Sequence, residues 1–311
     1  MKKIVFIIIA SFLLSSCVSI KNSEKVPAYE NDLKSRFVPY NNCFAVLPFT
    51  LNYTKQGCYP IIKINNSFFL LDTGADSTLL SDRGLKDLFF ENYENIMNKK
   101  ELLKDDGNIH IFTDPVGSWI IPAYNGDQKK IPFYYTNFDF ESYEGIIGES
   151  TFREFSNIII DYKNKLIIFD GEPISEEEIP MIVDDEGLCF IEFTCKGIKE
   201  IGLIDTGAHA FLLRSTFFEK PYEFNFLSEQ KIDELKKREV KLTKPKKYLF
   251  KDIKIGKTNF NKINGFLSSD SSILMTDEAR GRTTEYSILG FPFFKDKIIQ
   301  LDYKNKVFRI K

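Results

Sequence analysis

The sequence predicts a mostly β protein made of two duplicated, closed or nearly closed β-barrel-like lobes with one site between them. Three observations carry that expectation. The chain repeats itself in order over most of its length, its regular segments are short β-branched and aromatic runs cut by Asn, Asp, Gly and Lys, and helical patterns are few.

The repeat is explicit. The first copy reads Phe68-Phe69-Leu70-Leu71-Asp72-Thr73-Gly74-Ala75, then Gly145-Ile146-Ile147-Gly148, then Ile158-Ile159-Ile160-Asp161-Tyr162-Lys163-Asn164-Lys165. The second reads Gly202-Leu203-Ile204-Asp205-Thr206-Gly207-Ala208, then Ser287-Ile288-Leu289-Gly290, then Ile298-Ile299-Gln300-Leu301-Asp302-Tyr303-Lys304-Asn305-Lys306. The spacings between equivalent residues vary only by loop length: 133 from Asp72 to Asp205, 142 from Gly148 to Gly290, 141 from Asp161 to Asp302.

Residues 1–16 read as a lipoprotein signal peptide. Lys2 and Lys3 precede an apolar run from Ile4 to Leu14 that is too short to span a bilayer, and Leu14-Ser15-Ser16-Cys17 closes it. That tetrapeptide resembles a bacterial lipobox, which implies lipidation of Cys17 and a cell-envelope location; a plain signal peptide cleaved nearby is the alternative. Val18 after the cysteine resembles outer-membrane sorting in a Gram-negative cell. Residues 17–42 are polar and aperiodic, as in a tether. The first lobe is expected over 43–172, an acidic, proline-bounded linker with Glu176-Glu177-Glu178 over 173–180, and the second lobe over 181–311.

Strands are expected at Tyr59 to Ile64, Ile158 to Ile160, Leu166 to Phe169 and Lys306 to Ile310, with the Asp-Tyr-Lys-Asn-Lys pieces as hairpin turns. Helical periodicity appears at Leu85 to Leu103, Ser150 to Phe155 and Ser228 to Val240, the last with Ser228 as N-cap. Thirty Phe residues predict aromatic-rich interiors. With 42 basic against 44 acidic side chains, nothing favours a nucleic-acid partner.

Chemistry concentrates at the two Asp-Thr-Gly turns. An Asp that ends an apolar strand and precedes Thr-Gly sits at a sharp turn, which Gly74 and Gly207 permit. A pseudo-twofold axis would bring Asp72 and Asp205 face to face. Two such carboxyls share one proton, so one serves as base toward water while the other donates to a carbonyl.

On these residues the sequence resembles a retropepsin-like or pepsin-like aspartic peptidase over roughly 43–311: Asp-Thr-Gly-Ala at Asp72 to Ala75 and at Asp205 to Ala208, and the apolar-apolar-Gly motif at Ile146-Ile147-Gly148 and Ile288-Leu289-Gly290. The resemblance implies an acid-protease-like bilobal fold, catalysis by Asp72 and Asp205, and Thr73 and Thr206 hydrogen-bonding across the twofold. It implies a peptide or protein substrate and no cofactor or metal. Both half-sites lie on one chain, so a monomer suffices. Ala75 and Ala208 follow Asp-Thr-Gly as in retropepsins, where pepsin-like enzymes usually have Ser or Thr, which predicts a working pH nearer neutral. Asp76 occupies a position that contacts substrate backbone in retropepsins, and a solvated turn residue is the other reading. A flap is expected over Ile109 to Tyr124 with Gly117, Ser118 and Trp119 near its tip, Gly117 being a candidate substrate contact and Trp119 equally a core residue. The corresponding stretch of the second copy is Lys247 to Leu267.

Apart from Cys17, four cysteines allow three pairings, of which Cys43 with Cys58 is preferred because they flank one apparent hairpin. With only His110 and His209, and no serine-hydrolase, zincin or P-loop motif, those classes are excluded. The remaining alternatives are a catalytically inactive peptide-binding surface lipoprotein of the same fold and, last, an envelope scaffold.

Overall fold

In the computed structural model, described at residues 42–53, 58–64, 66–89, 115–123, 126–136, 140, 143–213, 248–267 and 286–311, one strand from each half feeds two sheets at once. Strand β1 (Ala45–Tyr53) pairs through Ala45–Pro48 with β9 (Leu166–Phe169) and through Phe49–Tyr53 with β2 (Cys58–Ile64). Its counterpart β10 (Ile179–Val183) pairs with β20 (Val307–Ile310) and then with β11 (Cys189–Cys195). The signal peptide, Cys17, the tether before residue 42, the helix expected at Ser228 to Val240 and most of that at Leu85 to Leu103 lie outside the described residues.

A six-stranded antiparallel sheet joins the halves in the order β1, β9, β8 (Asn157–Asp161), β19 (Ile298–Asp302), β20, β10. The order is its own mirror about the β8–β19 pair, where Ile298 faces Asp161 and Asp302 faces Asn157. The hairpin turns on either side are Asx-turns. The Asp161 carboxylate takes the Asn164 backbone N–H at 2.9 Å and its side-chain amide at 2.7 Å, and Asp302 takes the same two donors of Asn305 at 2.9 Å each. Lys165 and Lys306 end the turns at φ 58° and 54°. The repeated pentapeptide is thus turn chemistry used twice.

The first lobe continues as β2, β3 (Ser67–Leu71), β7 (Gly145–Ile147), β4 (Leu79–Leu80), β6 (Gln128–Tyr135), β5 (Gly117–Pro122), with β3–β7 and β4–β6 parallel. The second repeats it as β11, β12 (Ile198–Ile204), β18 (Ser287–Leu289), β13 (Phe211–Leu213), β17 (Ile263–Leu267), β14 (Tyr248–Phe250), with β12–β18 and β13–β17 parallel. A hairpin of β15 (Ile253–Ile255) and β16 (Thr258–Phe260) is added on β11. The fold is the mostly β, acid-protease-like bilobal one. The expected closure of each lobe is corrected: among the described residues the ladders stay open and form one large mixed sheet. The reason lies in β1 and β10, which cross into the joining sheet instead of closing their own lobes.

Among the described residues, three short helices complete the fold. Helix α1 (Asp82–Phe89) is capped by Ser81, whose hydroxyl accepts the Gly84 N–H at 3.2 Å; α2 (Glu149–Phe152) and α3 (Phe291–Phe294) follow the two apolar-apolar-Gly motifs. Among the described residues the eleven largest fully buried side chains are all Phe, including Phe69, Phe133, Phe211 and Phe293, in edge-on or stacked pairs. Trp119 packs against this core, so the core reading applies to it.

Two further expectations change. Strand β10 opens at Ile179, inside the stretch expected to be linker, because Ile179 and Pro180 pair with Phe308 and Val307. A Cys43–Cys58 bridge is geometrically ruled out. Cys58 pairs with Tyr53, while Cys43 precedes the opposite end of β1, about 30 Å away at strand rise, against a Cα separation of at most about 7 Å in a disulfide. Cys189 and Cys195 cap the two ends of β11, about 20 Å apart at strand rise, and do not bridge each other.

Candidate active site

Each Asp-Thr-Gly turn is suspended over the strand end carrying the apolar-apolar-Gly motif. The Asp72 N–H donates to the Ile147 carbonyl at 3.0 Å, and the Asp205 N–H to that of Leu289 at 3.1 Å. The carbonyl of Ala75 then accepts the Glu149 N–H at 2.8 Å, and that of Ala208 the Phe291 N–H at 2.7 Å. Gly148 and Gly290 fit beneath because nothing larger would: a β-carbon at Gly148 would lie 2.4 Å from the Ser77 carbonyl, and one at Gly290 2.3 Å from that of Ala210.

Four hydrogen bonds lock the loops together across the twofold. The Thr73 N–H donates to the Thr206 hydroxyl and the Thr206 N–H to the Thr73 hydroxyl, each at 3.1 Å. Each hydroxyl donates onward, Thr73 to the Ile204 carbonyl at 2.7 Å and Thr206 to the Leu71 carbonyl at 2.8 Å. Both threonines are fully buried, so every polar atom in this crossing has a partner.

The crossing brings Asp72 and Asp205 into mutual hydrogen-bond contact. Asp72 accepts the Gly74 N–H at 2.9 Å and Asp205 accepts the Ala208 N–H at 2.7 Å. Each motif glycine faces the opposite carboxyl. Both carboxyls are buried, at 3% and 2% exposure. Burial pushes Asp72 up to about 6, against hydrogen bonds from Asp205, Gly74, Gly207 and Ala75 that hold it down. Burial, then the charge of Asp72, pushes Asp205 well above the ordinary carboxyl range. The pair therefore carries one proton and one negative charge over a wide pH interval.

The residues after the motifs are unlike. Asp76 is buried at 6% exposure, so the solvated-turn reading of it is not what the structure has; its carbonyl accepts the Ser150 N–H at 3.0 Å. His209 is buried too, and its Nδ1 lies 3.0 Å from the Tyr59 hydroxyl of the other lobe. Tyr59 stands edge-on to Tyr143, and the two feel the charges of Asp205 and Asp72 respectively. Burial, then Asp205, pushes the Tyr59 phenol up to about 12, so it stays neutral. Sequence reasoning missed Tyr59 and Tyr143. By strand register the counterpart of Tyr59 is Leu188, so the repeat carries no signal for it.

Gly117 is not at a hairpin tip. It pairs with Phe133 at the end of the β5–β6 ladder away from the connection that joins Pro122 to Gln128, and a β-carbon there would fall 2.2 Å from the Phe89 ring. It is a packing glycine under α1, and residues 109–114 of the expected flap lie outside the described residues. Across the twofold, the stretch Lys247 to Leu267 holds β14 to β17. No metal-ligand cluster occurs among the described residues.

No protein-family model matches the chain, and no curated protein is detectably similar in sequence. Solved structures similar to it include the basic 7S globulin from soybean, at 9% identity and a TM-score of 0.44 over 86% of this chain and 95% of that one. Conglutin gamma, a basic 7S globulin from lupine seeds, matches at 10% identity and 0.47 over the same shares. A retropepsin-like aspartic protease from Rickettsia conorii matches at 15% identity and a TM-score of 0.24, over 43% of this chain and 93% of its own. The fold rests on the strand order and loop hydrogen bonds above, not on these likenesses.

Proposed function

We propose that the chain is an aspartic-type endopeptidase of the cell envelope, anchored to a membrane, the outer one in a Gram-negative cell, through lipid at Cys17. The observation that carries the reading is the buried Asp72–Asp205 pair, hydrogen-bonded to each other and each fitted against the opposite motif glycine. Burying one carboxyl costs free energy and a second beside it costs more, so a fold that keeps both marks a functional site.

In this reading Asp72, the easier of the two to ionise, is the base that takes a proton from water, and Asp205 donates its proton to the scissile carbonyl oxygen. The gem-diol intermediate then collapses with cleavage of the C–N bond, as the proton held by Asp72 passes to the leaving amine and one hydroxyl returns its proton to Asp205. No covalent enzyme intermediate forms. Thr73 and Thr206 fix the distance between the carboxyls, and Gly74 and Gly207 allow it to be that short. Asp76, on the first-lobe side of the pair, is proposed to contact substrate backbone. One chain supplies both half-sites, so a monomer is the working unit.

The test is cleavage of a diverse peptide library by the full chain in detergent between about pH 3 and pH 9, with Asp72→Asn and Asp205→Asn alongside. Cleavage by the wild type that is lost in both variants supports the shared-proton mechanism. Peptide bound but not cut at any pH sinks it and leaves the inactive peptide-binding lipoprotein; neither binding nor cutting leaves the scaffold.

A further inference from the structure

The floors of the two Asp loops share the motif glycine and part directly after it, with Glu149-Ser150-Thr151 in the first lobe and Phe291-Pro292-Phe293 in the second. Directly after Gly148 and Gly290 stand Glu149 and Phe291, and both backbone N–H groups do the same work, holding the carbonyls of Ala75 and Ala208. Each side chain then reaches the Tyr of the opposite half's Asx-turn. The Phe291 ring meets Tyr162 edge-on, with centroids 5.8 Å apart, whereas the Glu149 carboxyl accepts the Tyr303 hydroxyl on Oε1 at 3.3 Å. The fold is content with an apolar side chain here: the Tyr162 hydroxyl has no hydrogen-bond partner among the described residues. A carboxyl at the mate position is therefore not demanded by packing.

We propose that Glu149 is a positioning residue for Asp72, an uncharged acid that ties the floor of the Asp72 loop to the second lobe through Tyr303. Its surroundings suit only the neutral form. Glu149 is fully buried, and its Oε2 has no partner among the described residues. The groups facing it are the Tyr303 phenol, the Cys189 thiol on β11, Asp184 in the β10–β11 turn, Arg153 after α2, and Asp72 itself. The one cation among them does not pair with it, since Arg153 Nε is directed at the Glu149 backbone carbonyl at 3.4 Å. Burial holds the acid well above its ordinary range, more than the Tyr303 hydrogen bond and Arg153 pull it down.

Two consequences follow from that placement. As a neutral acid, Glu149 adds no second negative charge under the pair, so Asp72 can ionise while Asp205 keeps the shared proton. As an ion it would raise Asp72 and disturb the loop it supports, ending function on the alkaline side. The catalytic part of this inference rests on the peptidase reading; the neutral acid does not.

The experiment uses the full chain with Glu149→Gln, Glu149→Leu and Tyr303→Phe, in two readouts. In the first, thermal stability is followed from about pH 4 to pH 9. An acid whose folded pKa is raised loses stability as pH climbs from its unfolded value near 4.3 toward its folded one, so Glu149→Gln should gain on the wild type steadily as pH rises. Parallel curves overturn the neutral acid, whether or not the protein cuts peptides. In the second, kcat and KM are measured against pH. The expected result is an alkaline limb moved upward in Glu149→Gln, and a kcat lowered on the order of tenfold at nearly unchanged KM in Glu149→Leu and Tyr303→Phe. A wild-type profile and kcat in all three variants overturns the positioning role. A wild type with no activity, but with the stability difference present, removes the peptidase reading and leaves the neutral acid standing.

Discussion

The missing β-carbon of Gly207 would lie 2.4 Å from the carboxyl carbon of Asp72, and that of Gly74 2.5 Å from the carboxyl carbon of Asp205. Each glycine is thus the seat of the opposite aspartate. Gly207→Ala must push the two loops apart or turn Asp72 away, at an overpacking cost of about 1 to 3 kcal/mol. Displacing a reacting group by about 1 Å costs on the order of a hundredfold in rate. Gly207→Ala and Gly74→Ala should therefore each lower kcat/KM by that order, with a small drop in melting temperature. Near-wild-type turnover in either would separate the seat from the chemistry.

Activity should follow a bell in pH. Asp72 must lose its proton, which sets an acid limb near its value of about 6, while Asp205 must keep its own and Glu149 must stay neutral, which together set the alkaline limb well above that. The optimum is then near neutral, in accord with Ala75 and Ala208, which bring no hydroxyl to hold either carboxyl in its charged form. A kcat/KM profile peaking sharply below about pH 4 contradicts this assignment.

The same carboxyls should cost stability. Both have folded pKa values raised above the unfolded one, so their contribution is most favourable below about pH 4 and is lost as pH rises toward the folded values. Asp72→Asn removes a charge that burial opposes by on the order of 3 kcal/mol at neutral pH. Calorimetry should show it more stable than the wild type at pH 8 and indistinguishable at pH 4. A variant destabilised at both values would mean that Asp72 holds the loops together rather than straining them.

Much of this was legible in the sequence because the informative parts are local. The glycine seats, the Asx-turns at Asp161 and Asp302, and strands such as Leu166–Phe169 each depend on a few adjacent residues, and duplication states them twice. What was not legible depends on distant pairing. That β1 changes sheet between Pro48 and Phe49, which parts Cys43 from Cys58, is fixed by β9 and β2 together. Gly117 looked like a tip residue because Gly-Ser is turn-like, but Phe89 needs its bare face. Glu149 and Phe291 occupy matching positions, and only their partners across the twofold, Tyr303 and Tyr162, give the difference a meaning.

Tyr59 and His209 join the lobes beside Asp205, where the twofold mates Leu188 and Asp76 have different chemistry. Removing the phenol leaves a buried imidazole nitrogen without this bond, a loss of about 1 to 3 kcal/mol. Tyr59→Phe should therefore lower stability by that amount, and His209→Phe by a similar one. A double variant much less destabilised than the sum of the two would measure the bond directly; strictly additive losses would mean that the 3.0 Å contact contributes nothing.

Arg309 is 3% exposed in the joining sheet and binds three partners from two directions. Its Nη1 donates to Asp302 at 3.0 Å and to Gln300 at 3.3 Å, and its Nη2 donates to Glu178 at the start of the second half. Gln300 in turn accepts the Ile174 N–H at 3.2 Å, so the crossing between halves is fastened to the sheet through one guanidinium. Burial alone would raise Asp302, but hydrogen bonds from Asn305 and Arg309 outweigh it and hold the carboxyl below its usual range. A group lowered in this way contributes stability above its unfolded pKa, near 3.9, and loses it as pH falls through the folded value. Arg309→Met should thus cost about 3 kcal/mol or more in urea unfolding at pH 7, since it strands the buried Asp302 charge. Near pH 2 to 3, where Asp302 takes up a proton in the variant, the deficit should shrink by half or more. An equal deficit at both pH values would assign the role of Arg309 to packing of its stem, not to the charges it joins.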